Sequence, residues 1–215
     1  GIEGLHVHTL CQKGADAFAR TAEAFEKQCA PLIGKMKWLN FGGSHSLTHP
    51  DYDLDLLCST LKHFSTRYGV QVYIEPGESI IARTGSLFAT VLDIVGDGSI
   101  PAVILDISAT CHMPDVIEMP YRPDVRGALP PETAPWTCRL GGLSCLAGDV
   151  IGDYGFERPL EPGQVLELLD MSQYTFVKST FFNGLQHPSL AVLRSNGDLE
   201  VVREFGYADF LSRLM

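Results

Sequence analysis

Three runs of strand character, GLHVHTL (4–10), KWLNF (37–41) and QVYIE (71–75), alternate with two segments of helical period. In residues 14–30 the apolar groups Phe18, Ala22, Phe25 and Cys29 fall on one face, and in 53–67 Leu54, Leu57, Leu61 and Phe64 form one stripe. Strand–helix–strand–helix–strand spacing implies parallel strands joined by right-handed crossovers, because parallel neighbours need a long connection. Beyond residue 85 the alternation stops. SLFATVLDIVG (86–96) and AVILDIS (102–108) read as strands, and the proline-rich stretch 114–136 as an extended connection. From 147 onward come strand candidates with turn signals between them: VLELLD (165–170), YTFVKSTFF (174–182), and a hairpin in which SNGD (195–198) joins SLAVLR to LEVVREF. YADFLSRLM reads as a short closing helix.

A closed barrel of eight strand–helix units takes about 250 residues, and three units alone leave an open edge and a half-covered core. The expected fold class is therefore α/β plus β. Residues 1–85 would supply the second half of a (β/α)8 barrel and 86–215 a mainly β C-terminal domain, with 102–125 able to return to the active site.

Composition narrows the function classes. A net charge of −10 argues against nucleic acid or an anionic membrane surface as the main partner, because both require a basic face. No apolar run approaches the length of a membrane span and no secretory signal opens the chain. The six cysteines form no CxxC pair and read as reduced thiols, which fits a cytoplasmic protein.

Several residues sit where a parallel barrel places its chemistry, at the C-terminal ends of strands. Gly42-Gly43, after WLNF, is either an ordinary turn or a nest of backbone N–H groups for a phosphate. Glu75, in EPG, is either a strand-end residue stopped by proline or a carboxylate able to pair with a protonated pyridine nitrogen. His8 is a core histidine or a flat ring stacked on a flat cofactor. Cys145, in CLAGD, is a small buried hydrophobe or an exposed acid that protonates a carbanion. Tyr174 is a core aromatic or a phosphate ligand.

The order of these pieces is more informative than any one of them. GLHVHTLCQ, LNFGGSHS, IEPGES, CHMPDVIEMPYRP, CLAGD and QYTFVKSTFFNG, in succession, resemble the pyridoxal-phosphate decarboxylases built on an alanine-racemase-type barrel plus a β-domain. Ornithine and diaminopimelate decarboxylases belong to that group, and the wording is nearest its carboxynorspermidine/carboxyspermidine branch. The resemblance runs from residue 2 to about residue 207 and implies decarboxylation of a carboxylated polyamine. It implies that His8 stacks on the cofactor and acts in catalysis, and that Cys11 stands where the group often has a phosphate-binding serine. It further implies that Gly42 and Gly43 receive the phosphate, Glu75 holds the pyridine nitrogen and Tyr174 bonds the phosphate. Cys145 would reach into a neighbouring subunit's site, making the working unit a homodimer.

Two positions depart from the group's pattern. Glu78 stands where relatives usually have the arginine of EPGR, and Leu146 follows the loop cysteine where an acid is common. An extra carboxylate at 78, with Asp115 and Glu118, suits a substrate carrying several ammonium groups.

Such enzymes hold the cofactor as a Schiff base on a lysine after the first barrel strand, in a YALK-like setting. Lys13, Lys27, Lys35, Lys37, Lys62 and Lys178 have no such setting. The expectation is that the N-terminal half of the barrel is not in this sequence. The rivals are a diaminopimelate- or ornithine-type decarboxylase, a racemase of the same fold, and an inactive regulatory homologue. A metal centre drawn from His6, His8, Cys11, Cys111 or His112 is a further rival, because His6 and His8 lie two apart on a strand and face the same way.

Overall fold

The computed structural model describes all 215 residues except Cys11, Ser44, Asp97 and Ser99. The chain divides into two compact units, Gly1–Ala82 and Arg83–Met215.

In the first unit, β1 (Gly4–His6), β2 (Trp38–Asn40) and β3 (Gln71–Tyr73) form a parallel sheet in the order β1-β2-β3. Leu5, Leu39 and Val72 stand in register across it. The crossovers are α1 (Ala15–Ile33) and α2 (Leu54–Tyr68), and α3 (Gly77–Ile81) follows the third strand. Asp53 caps α2 by accepting the Leu56 N–H at 2.8 Å. Gly69 ends that helix in the left-handed conformation, at φ 65°.

The core between sheet and helices holds Phe18, Ala22, Leu39, Phe41, Leu57 and Phe64, with Phe25, Cys29 and Leu61 partly buried against it. These are the faces that the helical spacing marks out, with one exception. Leu54 is exposed, because it opens α2 before the helix has turned its stripe onto the sheet.

The second unit is built on a five-stranded sheet in the order β7-β6-β5-β4-β8. Its strands are β4 (Leu87–Val95), β5 (Ala102–Leu105), β6 (Trp136–Gly141), β7 (Val150–Phe156) and β8 (Val165–Leu168). The pairings are antiparallel except β5 with β6. That parallel pair is joined through 106–135, which carries the single-turn helices α4 (Ala109–His112) and α5 (Asp115–Glu118). The expected extended connection is thus helical at its start. Ser108 caps α4 through the Cys111 N–H, and Pro114 precedes α5, where its missing donor costs nothing.

YTFVKSTFF is a second correction. Tyr174–Val177 is a helical turn, α6, and Phe182–Gly184 a 3₁₀ turn. Thr175 is buried four residues beyond Met171, whose sulfur its hydroxyl meets at 3.9 Å. The turn is closed by the Lys178 N–H on the Tyr174 carbonyl at 2.8 Å, against the strand preference of its aromatic and β-branched residues. The hairpin β9 (Leu190–Leu193) and β10 (Leu199–Arg203), and α7 (Tyr207–Leu211), complete the unit as the sequence predicts.

Candidate functional site

In the first unit the ends of all three parallel strands converge. His8 lies two residues past β1, Gly42 and Gly43 just past β2, and Glu75 two residues past β3. His8 and Glu75 are exposed, while Gly42 is buried. The glycines are required by close approach. A Cβ on Gly42 would fall 2.7 Å from His8 Nδ1, and one on Gly43 would fall 2.6 Å from the Glu75 carbonyl oxygen. Gly42 also has φ 70°. The strand ends can therefore close around the His8 ring only with no side chain at 42 and 43.

A residue without an assigned role links the group. The Asn40 amide donates to Glu75 Oε1 at 2.6 Å, while its Oδ1 accepts the Gly42 N–H at 2.8 Å. The Gly43 N–H meets His8 Nδ1 at 3.3 Å, a long contact. His6 Nε2 stands 3.8 Å from Glu75 Oε2. His6, His8 and Glu75 thus bring possible ligand atoms within 4.8 Å of one another, a donor set compatible with a metal ion. Of the other metal candidates, Cys111 and His112 belong to the second unit and Cys11 lies outside the described residues.

Behind this cluster His45 is buried, its Nδ1 3.3 Å from the Tyr52 hydroxyl. Burial, and then the neighbouring His8, hold its pKa below the usual histidine range. The loop is tied to α3 through Ser79, whose hydroxyl donates to the His45 carbonyl and accepts the Leu47 N–H. Glu78 lies on α3, half-buried.

In the second unit Cys145 is exposed at the crest of the loop between β6 and β7. The loop is pinned from inside by Asp149, which is 6% exposed. Its carboxylate accepts from Ser108 Oγ at 2.9 Å, the Ser144 N–H at 2.8 Å and the Thr110 N–H at 3.1 Å. A Cβ on Gly142 would meet Asp149 Oδ2 at 2.6 Å, so the glycine makes room for that carboxylate. The Cys145 N–H donates to Asn183 Oδ1 at 2.7 Å. His112 is buried beside this network and accepts the Ser108 N–H on Nδ1 at 3.1 Å. Desolvation, then repulsion from His187, lowers its pKa to about 4.

Asp115 and Glu118 meet on one cation, Lys178. Its Nζ is 2.5 Å from Asp115 Oδ1 and also bonded to Glu118 Oε2. The two carboxylates raise the Lys178 pKa. Tyr174 is exposed, with Lys178 Nζ 5.7 Å from its ring centroid. A groove of ≈ 610 Å³ lies elsewhere in this unit, along Phe88, Arg126 and Glu167, and none of the expected site residues lines it.

Asn40, Asn183 and Asp149 are the site residues that sequence reasoning missed. Asn40 had a signal, as a polar residue ending a strand one residue before Gly-Gly.

No family model matches the chain. It is 43% identical over 215 residues to a carboxyaminopropylagmatine decarboxylase of Synechocystis sp., covering 100% of this chain and 56% of that protein. It is 42% identical over 223 residues to a carboxynorspermidine/carboxyspermidine decarboxylase of Campylobacter jejuni, covering 99% and 58%. The crystal structure of carboxynorspermidine decarboxylase complexed with norspermidine from Campylobacter jejuni matches at a TM-score of 0.88 and 42% identity, over 99% of this chain and 60% of that one. A diaminopimelate decarboxylase from M. jannaschi shares the fold at a TM-score of 0.74 and 20% identity, over 100% and 52%.

The chain thus spans less than two thirds of the length of these relatives. Its three parallel strands and mixed sheet are the second half of the barrel and the β-domain of the alanine-racemase-type fold. By sequence and fold, the chain belongs to the carboxynorspermidine/carboxyspermidine decarboxylase family.

Proposed function

We propose that the protein to which this chain contributes is a pyridoxal-phosphate-dependent carboxy-lyase acting on a carboxylated polyamine, converting carboxynorspermidine to norspermidine and carboxyspermidine to spermidine. The observation that carries the reading is 42% identity, over 99% of this chain, to an enzyme whose structure holds norspermidine.

The first unit's residues fit the cofactor. The two glycines form a cradle that a Cβ would fill, a flat imidazole lies against it, and a half-exposed carboxylate stands beside both. His8 would stack on the ring, Glu75 would face the pyridine nitrogen, and Gly42 and Gly43 would line the phosphate. The Gly43 N–H, held at 3.3 Å, is the donor more readily exchanged, since the Gly42 N–H is tied to Asn40. Cys11 and Tyr174 are the further phosphate candidates. Pyridoxal phosphate, when bound, supplies a sink for the electron pair released as the substrate carboxylate leaves as CO2.

The chain's own residues bind and move protons around that event. Glu75 would accept from the cofactor's ring N–H, and Cys145 Sγ–H is the acid that would return a proton to the substrate carbon. Glu78, Asp115 and Glu118 are the carboxylates offered to substrate ammonium groups. Homodimerisation would carry Cys145 to a neighbouring site. Among the described residues no helix is long and apolar enough to cross a membrane.

A third substrate has equal support, since the Synechocystis relative is named for carboxyaminopropylagmatine. Full-length protein loaded with cofactor and assayed for CO2 from each of the three substrates decides between them. Turnover of lysine precursors or ornithine, with none of the polyamines, would refute the polyamine reading.

A further inference from the structure

We propose that Asn183 is the positioning residue that fixes Cys145, and so sets where the thiol proton is delivered; this rests on the proton-donor role given to Cys145 above. Cys145 lies in a closed circuit of contacts within the second unit. Its N–H is held by Asn183 Oδ1 at 2.7 Å. The carbonyl of Phe182, next to Asn183, accepts from Cys111 Sγ at 3.3 Å, and the Cys111 N–H donates to Ser108 Oγ at 3.1 Å. Ser108 Oγ in turn donates to Asp149, whose carboxylate holds the N–H of Ser144, the residue before Cys145. A second tie from Thr180 N–H to the Cys111 carbonyl, at 2.8 Å, anchors the turn that carries Asn183.

The circuit runs from the interior of the unit to its surface. Within this chain Ser108, Cys111 and Asp149 are buried, whereas Cys145 and Asn183 lie at its surface. The backbone is bent to make that bond. Asn183 adopts φ 57° and ψ 12°, and Gly184 follows at φ 70°. Asparagine accepts the left-handed conformation better than most residues, and its short amide reaches the Cys145 N–H from there. Held from both sides, the Cys145 backbone leaves little beyond the thiol rotamer free. Fixed approach of this kind is what proton transfer to carbon requires.

The test uses full-length, cofactor-loaded enzyme and two readouts: steady-state kinetics, and the rate of iodoacetamide alkylation at Cys145 mapped by peptide mass. Asn183→Gly keeps the turn and removes the acceptor. It should lower kcat about 10-fold with KM unchanged, and speed alkylation about threefold as the crest loosens. Asn183→Asp keeps turn and acceptor but sets a negative charge beside the sulfur. It opposes thiolate formation and should slow alkylation about threefold, with melting temperature unchanged. Parent-like alkylation in both variants overturns the proposal. Altered alkylation with full kcat in Cys145→Ser leaves the clamp standing but overturns the delivery role, and locates the failure in the proton-donor reading.

Discussion

Glu75 in the first unit keeps half its side chain in water and is approached by the Asn40 amide, with the His6 and His8 rings more distant. Asp149 in the second unit is almost sealed, and three donors converge on it. The first carboxylate lies two residues past a three-residue strand; the second closes a loop from within. A carboxylate that is not saturated by donors has lone pairs left for a ligand. A buried, fully bonded acid is committed to structure, and its loss strands its donors. The two carboxylates therefore serve different ends: Glu75 is presented at the strand ends, whereas Asp149 holds in place the loop that carries Cys145.

The largest expected effect is on the sealed side. Asp149→Leu leaves Ser108 Oγ and two backbone N–H groups without their acceptor, so stability should fall by about 3–5 kcal/mol. Thermal or denaturant unfolding measures it. A loss below about 1 kcal/mol, the ordinary surface range, would erase the contrast between the units.

His112, in the same network, makes the contrast depend on pH. Its pKa of about 4 when folded lies below the ordinary histidine value, because burial disfavours the cation. The unfolded chain therefore takes up the proton first as pH falls. Stability should drop from about pH 6.5 down to about pH 4 and level off below, by about 3 kcal/mol in all. His112→Asn should flatten that stretch of the profile. An unchanged slope between pH 6.5 and 4 would show that other groups control acid unfolding.

On the open side the order of effects reverses. Glu75→Gln should change stability by less than about 1 kcal/mol, yet lower kcat on the order of 100-fold or more, since a neutral partner leaves a poorer electron sink. Cofactor binding should largely survive, which a dialysis or absorbance titration checks. Wild-type kcat in the full-length variant would remove Glu75 from the chemistry.

How far all this was legible differs between the units for a physical reason. The first is made of local periodicity: Phe18 and Ala22, or Leu57 and Phe64, carry their burial in their spacing, and strand ends locate the chemistry. The candidate residues His8, Gly42, Gly43 and Glu75 follow from that. The second unit depends on pairings distant in sequence. WTCRLG becomes β6 by pairing with β5 some 35 residues earlier, and its strand character did not stand out. Asn183 and Cys145 meet across 38 residues, a contact that no spacing rule encodes. FNG was visible as a motif, but its task was not, because an asparagine in a left-handed turn reads the same with or without a distant N–H to hold.

The smallest expected effect concerns Asp115 and Glu118, which fall between the two types: Asp115 is mostly buried and Glu118 largely exposed. They already hold a primary ammonium, that of Lys178, with Asp115 Oδ1 at 2.5 Å. The arrangement demonstrates the geometry that a polyamine ammonium would need, and also a competitor for it. If substrate displaces Lys178, the two cations contend for the same carboxylates and deleting one must favour the other. Lys178→Met should then lower KM for carboxynorspermidine by about two- to fivefold, the scale of a partly exposed ion pair. Asp115→Asn should raise KM, by about 10-fold, through loss of a charge-assisted bond. A shortened analogue with one ammonium group should respond to neither change. The opposite signs are the discriminating feature: a structural ion pair gives equal losses of stability in the two variants, and leaves the ratio of long to short substrate untouched. Equal responses of both substrates would assign all three side chains to holding α5 against α6, and leave polyamine recognition to Glu78 and the first unit.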